Sequence, residues 1–427
     1  ARDRHNAKKM IIHPNGKESV SIFNILKNYK DCSLIQVTIL TGRKHQIRVQ
    51  CASLNHPILN DSLYGGKIID DTRIVSSLPK IKYCLEKNAK VILMSHLGRI
   101  KEPSDLEKNT LAPVATRLSE LLNKKVQFIP ETRGELLEST ISNMKPQEIV
   151  LIQNTRYEDL NGKKESSNDE ELGKYWASLG DVFINDAFGT AHRAHASNVG
   201  IATHLPSAAG FLIEKEINAL SLLNDPEHPF IVILGGAKVS DKIGVIANLV
   251  TKADKILIGG GMSFTFLKAA GYEIGKSLVD EENIQFCTNI MKEYSDKIIL
   301  PIDAAVTTEF SNKEDYKVKD IESISNDEMG LDIGPKTIAR FKNELESAKI
   351  VVWNGPLGVY EFDKYKFGTD EIVKYLVNNN IKTILGGGDI VAATATYKDK
   401  IYHASTGGGA TLEYLEGKLL PGIAVLK

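Results

Sequence analysis

A chain of 427 residues, 42% of them hydrophobic, has room for two or three domains with filled cores. No apolar run approaches the ~20 residues of a membrane span, and four widely spaced cysteines (Cys32, Cys51, Cys84, Cys287) without a C-x-x-C pair exclude a disulfide scaffold and a zinc site. The formal net charge of −1 conceals a division, because residues 1–66 carry ten Lys/Arg against four Asp/Glu and residues 67–427 carry 43 against 50.

The first 66 residues are basic and histidine-rich. Their start has neither the apolar core of a signal peptide nor an initiator methionine, so a cytoplasmic chain that begins as a fragment is expected. Alternation over residues 20–25 and 34–40 predicts two antiparallel strands, with Gly16 and Gly42 marking turns. A piece of this size would struggle to bury a core unaided.

From residue 67 onward, short apolar runs alternate with amphipathic stretches. Strands are predicted at 90–94, 149–152, 182–184, 230–234, 255–258, 349–353 and 383–385, and helices at 111–122 and 169–179 between them. Such alternation reads as β-α-β units around parallel sheets. The expected fold class is α/β: two doubly wound parallel-sheet lobes joined by a hinge helix, plus a small, mostly β N-terminal fragment. The expected domains are 1–66, 67–205 and 206–404, with the hinge helix at 206–223, and a C-terminal segment, 405–427, that packs back toward the first lobe.

In open parallel sheets, ligands bind beyond the carboxyl ends of the strands. In the first lobe those ends carry positive charge. The run at 90–94 leads to His96 and Arg99, that at 149–152 to Arg156, and that at 182–184 to Arg193, while Arg73 follows the charge boundary. Convergent guanidinium groups suit a small anion bearing phosphate and carboxylate.

In the second lobe the strand ends carry glycine: Gly235 and Gly236 before Lys238 and Lys242, then 259–261, 355–358, 386–388 before Asp389, and 407–409. Glycine lets backbone approach phosphate closely. Five such loops, one with two lysines and one with an aspartate able to hold Mg²⁺, point to a nucleotide site. Residues 271–277 (GYEIGKS) imitate a phosphate loop, but three residues separate the glycines where four are needed. An anion-gathering lobe facing a Mg-nucleotide lobe implies phosphoryl transfer. No nucleophilic triad is needed if the acceptor is a carboxylate, already ionised at neutral pH.

The motifs SHLGR (95–99), NTRY (154–157), NDAFGTAHRAHAS (185–197), GGAKVSDKI (235–243), VWNGPLGVYE (352–361), GGGD (386–389) and STGGGATLEYLEGKLLPGI (405–423) together resemble the phosphoglycerate kinases, over residues 67–427. That resemblance implies a glycolytic, cytoplasmic and monomeric enzyme that exchanges phosphate between ATP and 3-phosphoglycerate, giving ADP and 1,3-bisphosphoglycerate, with Mg²⁺ as cofactor. It implies that Arg73, His96, Arg99, Arg156 and Arg193 hold phosphoglycerate. Lys238, Arg73, Gly387 and Gly408 would serve the transfer. Gly236, Lys238, Lys242, Gly260, Asn354, Glu361, Gly386, Gly387, Gly388, Asp389 and Thr406 would take the nucleotide, Asp389 holding the metal, and hinge bending would close the lobes.

The chain departs from the family at Ile390, where a hydroxyl residue usually follows the GGGD aspartate, and at Ile100, where proline is usual. The family's opening strand and its D-x-N substrate loop are missing ahead of KIIDDTR (67–73). In their place, KKM (8–10) and TGRKHQIRVQCASLNHPILNDSLYG (41–65) resemble the C-terminal part of an RNA pseudouridine synthase, whose catalytic aspartate motif is not in the chain. Two alternatives to a working kinase follow: an impaired fusion that still binds Mg-nucleotide, or an RNA-binding remnant in which Arg43, Lys44 and Arg48 meet phosphates.

Overall fold

The computed structural model describes Ile12, residues 16–28, 33–54, His56, Ile58, 71–312 and 317–426. The charge boundary at residues 65–67, the KKM stretch and Cys32 lie outside the described residues. The chain divides into two compact units, one of Ala1–Asp181 and His195–His204, the other of Val182–Ala194 and Leu205–Lys427. This line differs from the expected boundary at 205/206.

In the first unit, β1 (Ser21–Asn28) and β2 (Ser33–Ile39) pair antiparallel, with Phe23 opposite Val37 and Ile25 opposite Ile35, as the alternation predicted. The helix Gln46–Ser53 follows. Gln46 is buried there because its carboxamide joins hairpin to helix: Oε1 accepts from Thr41 Oγ1 (2.9 Å) and Arg43 N (3.0 Å), and Nε2 donates to Val20 O (2.9 Å) and Ser21 Oγ (2.8 Å). Part of the TGRKHQIR pattern is thus structural.

The first unit also holds a parallel sheet of β3 (Val91–Leu93), β4 (Val126–Phe128) and β5 (Ile149–Leu151) in the order β3-β5-β4. The helices Thr72–Glu86 and Ala112–Leu122 pack against it through Ile81, Leu111, Ala115 and Leu118. The predicted helix at 169–179 runs over Glu170–Ala177, with the Asp169 carboxylate accepting from Leu172 N (2.9 Å) as its cap.

In the second unit, β6 (Phe183–Asn185) pairs parallel with β7 (Ser207–Ala209). The expected helix at 206–223 therefore begins late, over Phe211–Leu220, and belongs to this unit. Its start is set by Asp186, whose Oδ1 accepts from Leu212 N (2.8 Å) and Ile213 N (3.2 Å). The main sheet contains β8 (Phe230–Leu234), β9 (Lys255–Ile258), β10 (Ile298–Ile299), β14 (Ile350–Asn354), β15 (Lys382–Leu385) and β16 (His403–Ala404). All pairs are parallel, in the order β10-β9-β8-β14-β15-β16.

Both faces of that sheet are covered. Phe230, Val232, Leu234, Ile256, Val352 and Ile384 fill one core, while Ile231, Ile233, Leu257, Val351, Trp353 and Leu385 fill the other. Burial on both faces is why these strands read as unbroken apolar runs. A side sheet of β11 (Asp303–Thr307), β12 (Lys317–Asp320) and β13 (Met329–Ile333) is antiparallel, in the order β12-β11-β13.

Candidate active site

In the first unit, the adjacent exits of β3 and β5 are brought together by two amide side chains. Asn154, fully buried, donates through Nδ2 to Leu97 O (2.7 Å) and Asn109 O (2.9 Å), while its Oδ1 accepts from Arg156 N (3.1 Å). Gln153 Oε1 accepts from Leu111 N (3.0 Å) and Asn154 N (2.8 Å). Thr155 N donates to Ser95 O (3.1 Å), closing the two exits onto each other. Gly98 must be glycine, since its φ is +64° and a Cβ there would stand 2.4 Å from Asn109 Oδ1.

The result is a frame from which His96 (half-buried), Arg99 (exposed) and Arg156 (7% exposed) project. Arg73 stands exposed in the first turn of the helix Thr72–Glu86, while neighbouring Asp71 is taken by Arg117 (2.7 and 2.8 Å). Arg193 belongs to the second unit, so the five expected anion ligands are divided between the units. There Arg193 Nε donates to His192 Nε2 (3.1 Å), and burial, followed by that neighbouring guanidinium, holds the imidazole below its ordinary pKa despite Glu413. Asn185 Nδ2 donates to Gly422 O (2.9 Å) and Ala191 O accepts from Gly422 N (2.8 Å), so the C-terminal residues reach back to this same stretch.

The glycine-bearing exits of the second unit serve two different purposes. Gly235 N donates to Asn354 O, Gly236 N to Pro356 O and Gly260 N to Leu357 O, each at 2.9 Å. A Cβ on Gly235 would lie 2.1 Å from Pro356 O, and one on Gly260 would lie 2.6 Å from Gly236 N. These glycines let three loops stack backbone on backbone. Gly388 and Gly408, by contrast, have nothing within 4 Å of a notional Cβ, and Gly387 meets Asn354 Nδ2 at 3.0 Å. Open space therefore stands beside Gly388 and Gly408, while Gly387 lies close against Asn354.

Between these groups sits a polar relay. Lys242 Nζ donates to Asn354 Oδ1, and Asn354 Nδ2 donates to Gly386 O, which brings the exits of β8, β14 and β15 together. Burial pushes the Lys242 ammonium below its ordinary pKa, against the opposing pull of Asp241, Asp389 and Glu416. Lys238 is exposed on the loop after β8, Asp389 is exposed in the first turn of the helix Gly388–Ala393, and Glu361 is exposed beyond β14. Among the described residues no group of three or more His, Cys, Asp or Glu converges. Asp389 alone would not hold a metal, but one carboxylate suits Mg²⁺ that arrives coordinated by nucleotide phosphates.

Thr406 has a partner that the sequence did not disclose. Its N–H (2.8 Å) and hydroxyl (2.9 Å) both donate to Glu216 Oε1, and Glu216 Oε2 lies 2.7 Å from His403 Nε2. Glu216 is fully buried on the helix Phe211–Leu220. Burial alone would raise its carboxyl, but the His403 and Thr406 donors outweigh that and hold it below the ordinary range. Its position three residues after Ile213 and four before Leu220, on the apolar face, was the available signal.

Two further features lie near the glycine stack. A small cavity bordered by Gly260, Ser263, Phe264 and Asp332 adjoins the loop after β9. Asp332 is buried in it, accepts from Gly368 N (2.8 Å) and Ile333 N (2.9 Å), and is pushed up to about 8 by burial. The GYEIGKS imitation is closed to phosphate, because a Cβ on Gly275 would be 2.3 Å from the carbonyl oxygens of Glu328 and Ser325. Ile390 is fully buried in the core and Ile100 is 5% exposed, so both departures from the family pattern are packing residues.

The family model described as phosphoglycerate kinase matches residues 37–418, starting thirty residues upstream of the expected boundary at 67. A model described as RNA pseudouridylate synthase matches residues 2–53, overlapping it. The chain is 57% identical over 369 residues to the phosphoglycerate kinase of Listeria monocytogenes, with 86% of this chain and 93% of that one covered. It is 55% identical over 387 residues to that of Staphylococcus haemolyticus, covering 90% and 96%. Among solved structures, phosphoglycerate kinase from Coxiella burnetii superposes with a TM-score of 0.77 at 38% identity, covering 85% of this chain and 92% of that one. The enzyme from Pyrococcus horikoshii gives a TM-score of 0.74 at 33% identity, covering 84% and 92%.

Proposed function

The chain belongs to the phosphoglycerate kinase family, and on that premise we propose that it transfers a phosphoryl group reversibly between ATP and the carboxylate of 3-phosphoglycerate, giving ADP and 1,3-bisphosphoglycerate. The observation that carries the proposal is the Lys242–Asn354–Gly386 relay, continuous in sequence with Gly387 and Gly388, together with the open space beside Gly388 and Gly408. It gathers a partly desolvated cation and glycine backbone at the carboxyl ends of three parallel strands, where a polyphosphate would lie.

Lys242 would contact the nucleotide phosphates, and Mg²⁺ would enter with them and use Asp389 as its protein carboxylate. Asn354 and the 386–388 loop would line the phosphate path, Glu361 would take the ribose, and Gly236 and Gly260 would border the base. His96, Arg99, Arg156 and Arg193, with Arg73, would hold the phosphate and carboxylate of 3-phosphoglycerate. Lys238 and Arg73, with the backbone at Gly387 and Gly408, would offset charge on the phosphoryl group in flight. Thr406 would fix the transfer loop, since Glu216 engages its N–H and hydroxyl.

The acceptor carboxylate is ionised at neutral pH, so no side chain need remove a proton. The remaining work is alignment and charge compensation in a site from which water is excluded. The reading places the enzyme in the cytoplasm as a monomer. Cys84 and Cys287 carry free thiols, in keeping with a reducing compartment.

A second reading, nucleotide binding without turnover, draws support from β3. Among the described strands β3 pairs with β5 and with no other, and no D-x-N loop precedes KIIDDTR in the chain. Calorimetry on the full chain separates the two readings. The first predicts saturable heats with Mg-ADP and, separately, with 3-phosphoglycerate. Binding of Mg-ADP alone favours the second, and no binding of either ligand contradicts both.

A further inference from the structure

Glu165 is a carboxylate that the site described above does not use, and it is 1% exposed. An ionisable group in that setting is expensive unless donors surround it, and burial pushes its carboxyl above the ordinary range. Its donors come from two stretches distant in sequence. Oε1 accepts from Thr155 Oγ1 (3.2 Å) and from Ser197 Oγ, and Oε2 accepts from Ser197 N (3.0 Å). Its backbone C=O accepts from Ala196 N (3.0 Å) and Asn168 N (3.2 Å), and His195 Nδ1 lies 3.7 Å from Oε1. All of these residues belong to the first unit.

Thr155 is the residue before Arg156, in the 3₁₀ turn Thr155–Asp159 that leaves β5. Its N–H holds Ser95 O (3.1 Å), at the start of the loop carrying His96 and Arg99. One buried carboxylate is therefore braced on one side against the turn that aims Arg156, and on the other against the wide helical turn Ala196–Gly200. Arg156 is itself 7% exposed, so its guanidinium has little freedom to compensate if that turn shifts.

We propose that Glu165 is a positioning residue for anion binding: through Thr155 and Ser197 it locks the turn that presents Arg156 to 3-phosphoglycerate. The proposal rests on the assignment of Arg156 to that substrate. It separates Glu165 from a residue that only stabilises the fold, because a positioning role acts on one ligand and not on the other. Misplacing a charge-assisted contact by a fraction of an ångström weakens binding of the anion it faces. The Lys242 relay in the second unit has no part in the Glu165 network.

The test uses the full chain labelled with ¹⁵N-arginine, the substitutions E165Q and E165D, and calorimetry with 3-phosphoglycerate and Mg-ADP. E165Q is expected to raise the dissociation constant for 3-phosphoglycerate about tenfold, to leave that for Mg-ADP within about twofold, and to shift the Arg156 Nε–Hε resonance, assigned with R156K. E165D, which keeps the carboxylate, should recover part of the affinity. Unchanged 3-phosphoglycerate affinity with an unmoved Arg156 resonance overturns the proposal, as does an equal loss for both ligands. If the unsubstituted chain binds no 3-phosphoglycerate, the substrate assignment fails, and the Arg156 resonance decides the positioning claim alone. Should E165Q not fold, T155V removes one donor only and is expected to move the same resonance.

Discussion

Replacing Glu216 with leucine removes the acceptor that ties the helix Phe211–Leu220 to the 405–409 loop while keeping roughly the same volume. The cost can be built from what each donor does next. His403 is 4% exposed, so its N–H finds no water, and an orphaned buried donor costs about 1–3 kcal/mol. Thr406 is exposed, so its N–H and hydroxyl regain water and lose about 0.5 kcal/mol each. The sum is about 2–4 kcal/mol from the second unit, with about 1 kcal/mol for Glu216→Gln, which retains one acceptor. The chain has two tryptophans, Trp176 in the first unit and Trp353 in the second. Fluorotryptophan labelling therefore gives one ¹⁹F line per unit, and urea unfolding followed on the Trp353 line reads the second unit alone.

The pH dependence carries a sign. The folded carboxyl of Glu216 sits below its ordinary value of 4.5, so its contribution is present above that pH and is lost as pH falls through the lower folded value. The gap between parent and Glu216→Leu should then close in acid. A Trp353 transition displaced by less than about 0.5 kcal/mol, or a gap indifferent to pH, would refute the reasoning.

Four other outcomes are expected. Lys242→Met should weaken Mg-ADP binding at least about tenfold in calorimetry while moving the Trp353 transition by under about 1 kcal/mol, because the ammonium is already poorly solvated. Asp332, pushed up to about 8 by burial, binds a proton in the folded state that the unfolded chain releases near 4. Stability should therefore decline from pH 4 toward 8 with a slope of up to about 1.4 kcal/mol per pH unit from this group, and Asp332→Asn should flatten that slope in urea titrations across pH. Gly260→Ala should destabilise the second unit by more than about 2 kcal/mol, since it forces a Cβ against backbone at φ +64°. Gly388→Ala, in open space, should leave unfolding within about 0.5 kcal/mol yet weaken nucleotide binding measured by calorimetry.

Much of this architecture is written in local pattern. The strands β8, β9 and β14 are apolar except at two ends, Lys255 and Asn354, because helices cover both faces, and such runs are hard to miss. The antiparallel β12-β11-β13 sheet escaped notice because Lys317–Asp320 alternates charge with a single valine and lies largely exposed. The break at Ser207–Ala209 was hidden in a helical spacing that Asp186, twenty-five residues ahead of Phe211, cuts short from outside.

Glycine clusters located the strand exits, yet their chemistry was only half legible. At Gly235 and Gly260 the missing side chain makes room for another loop, while at Gly388 and Gly408 it leaves backbone open. No pattern in one sequence distinguishes those uses. The partners of the buried acids Glu165 and Glu216 were hidden for a related reason. Ser197 and Thr406 lie 32 and 190 residues away, so only the fold reveals that the two acids are saturated with donors.

Turnover by the full chain tests the central claim most directly. The measurement is NADH oxidation dependent on ATP and 3-phosphoglycerate, coupled through glyceraldehyde-3-phosphate dehydrogenase, on protein whose two ¹⁹F tryptophan lines show both units folded. The expected rate requires both substrates and Mg²⁺ and collapses in Lys238→Ala. A background rate from folded protein that still binds Mg-ADP would contradict it.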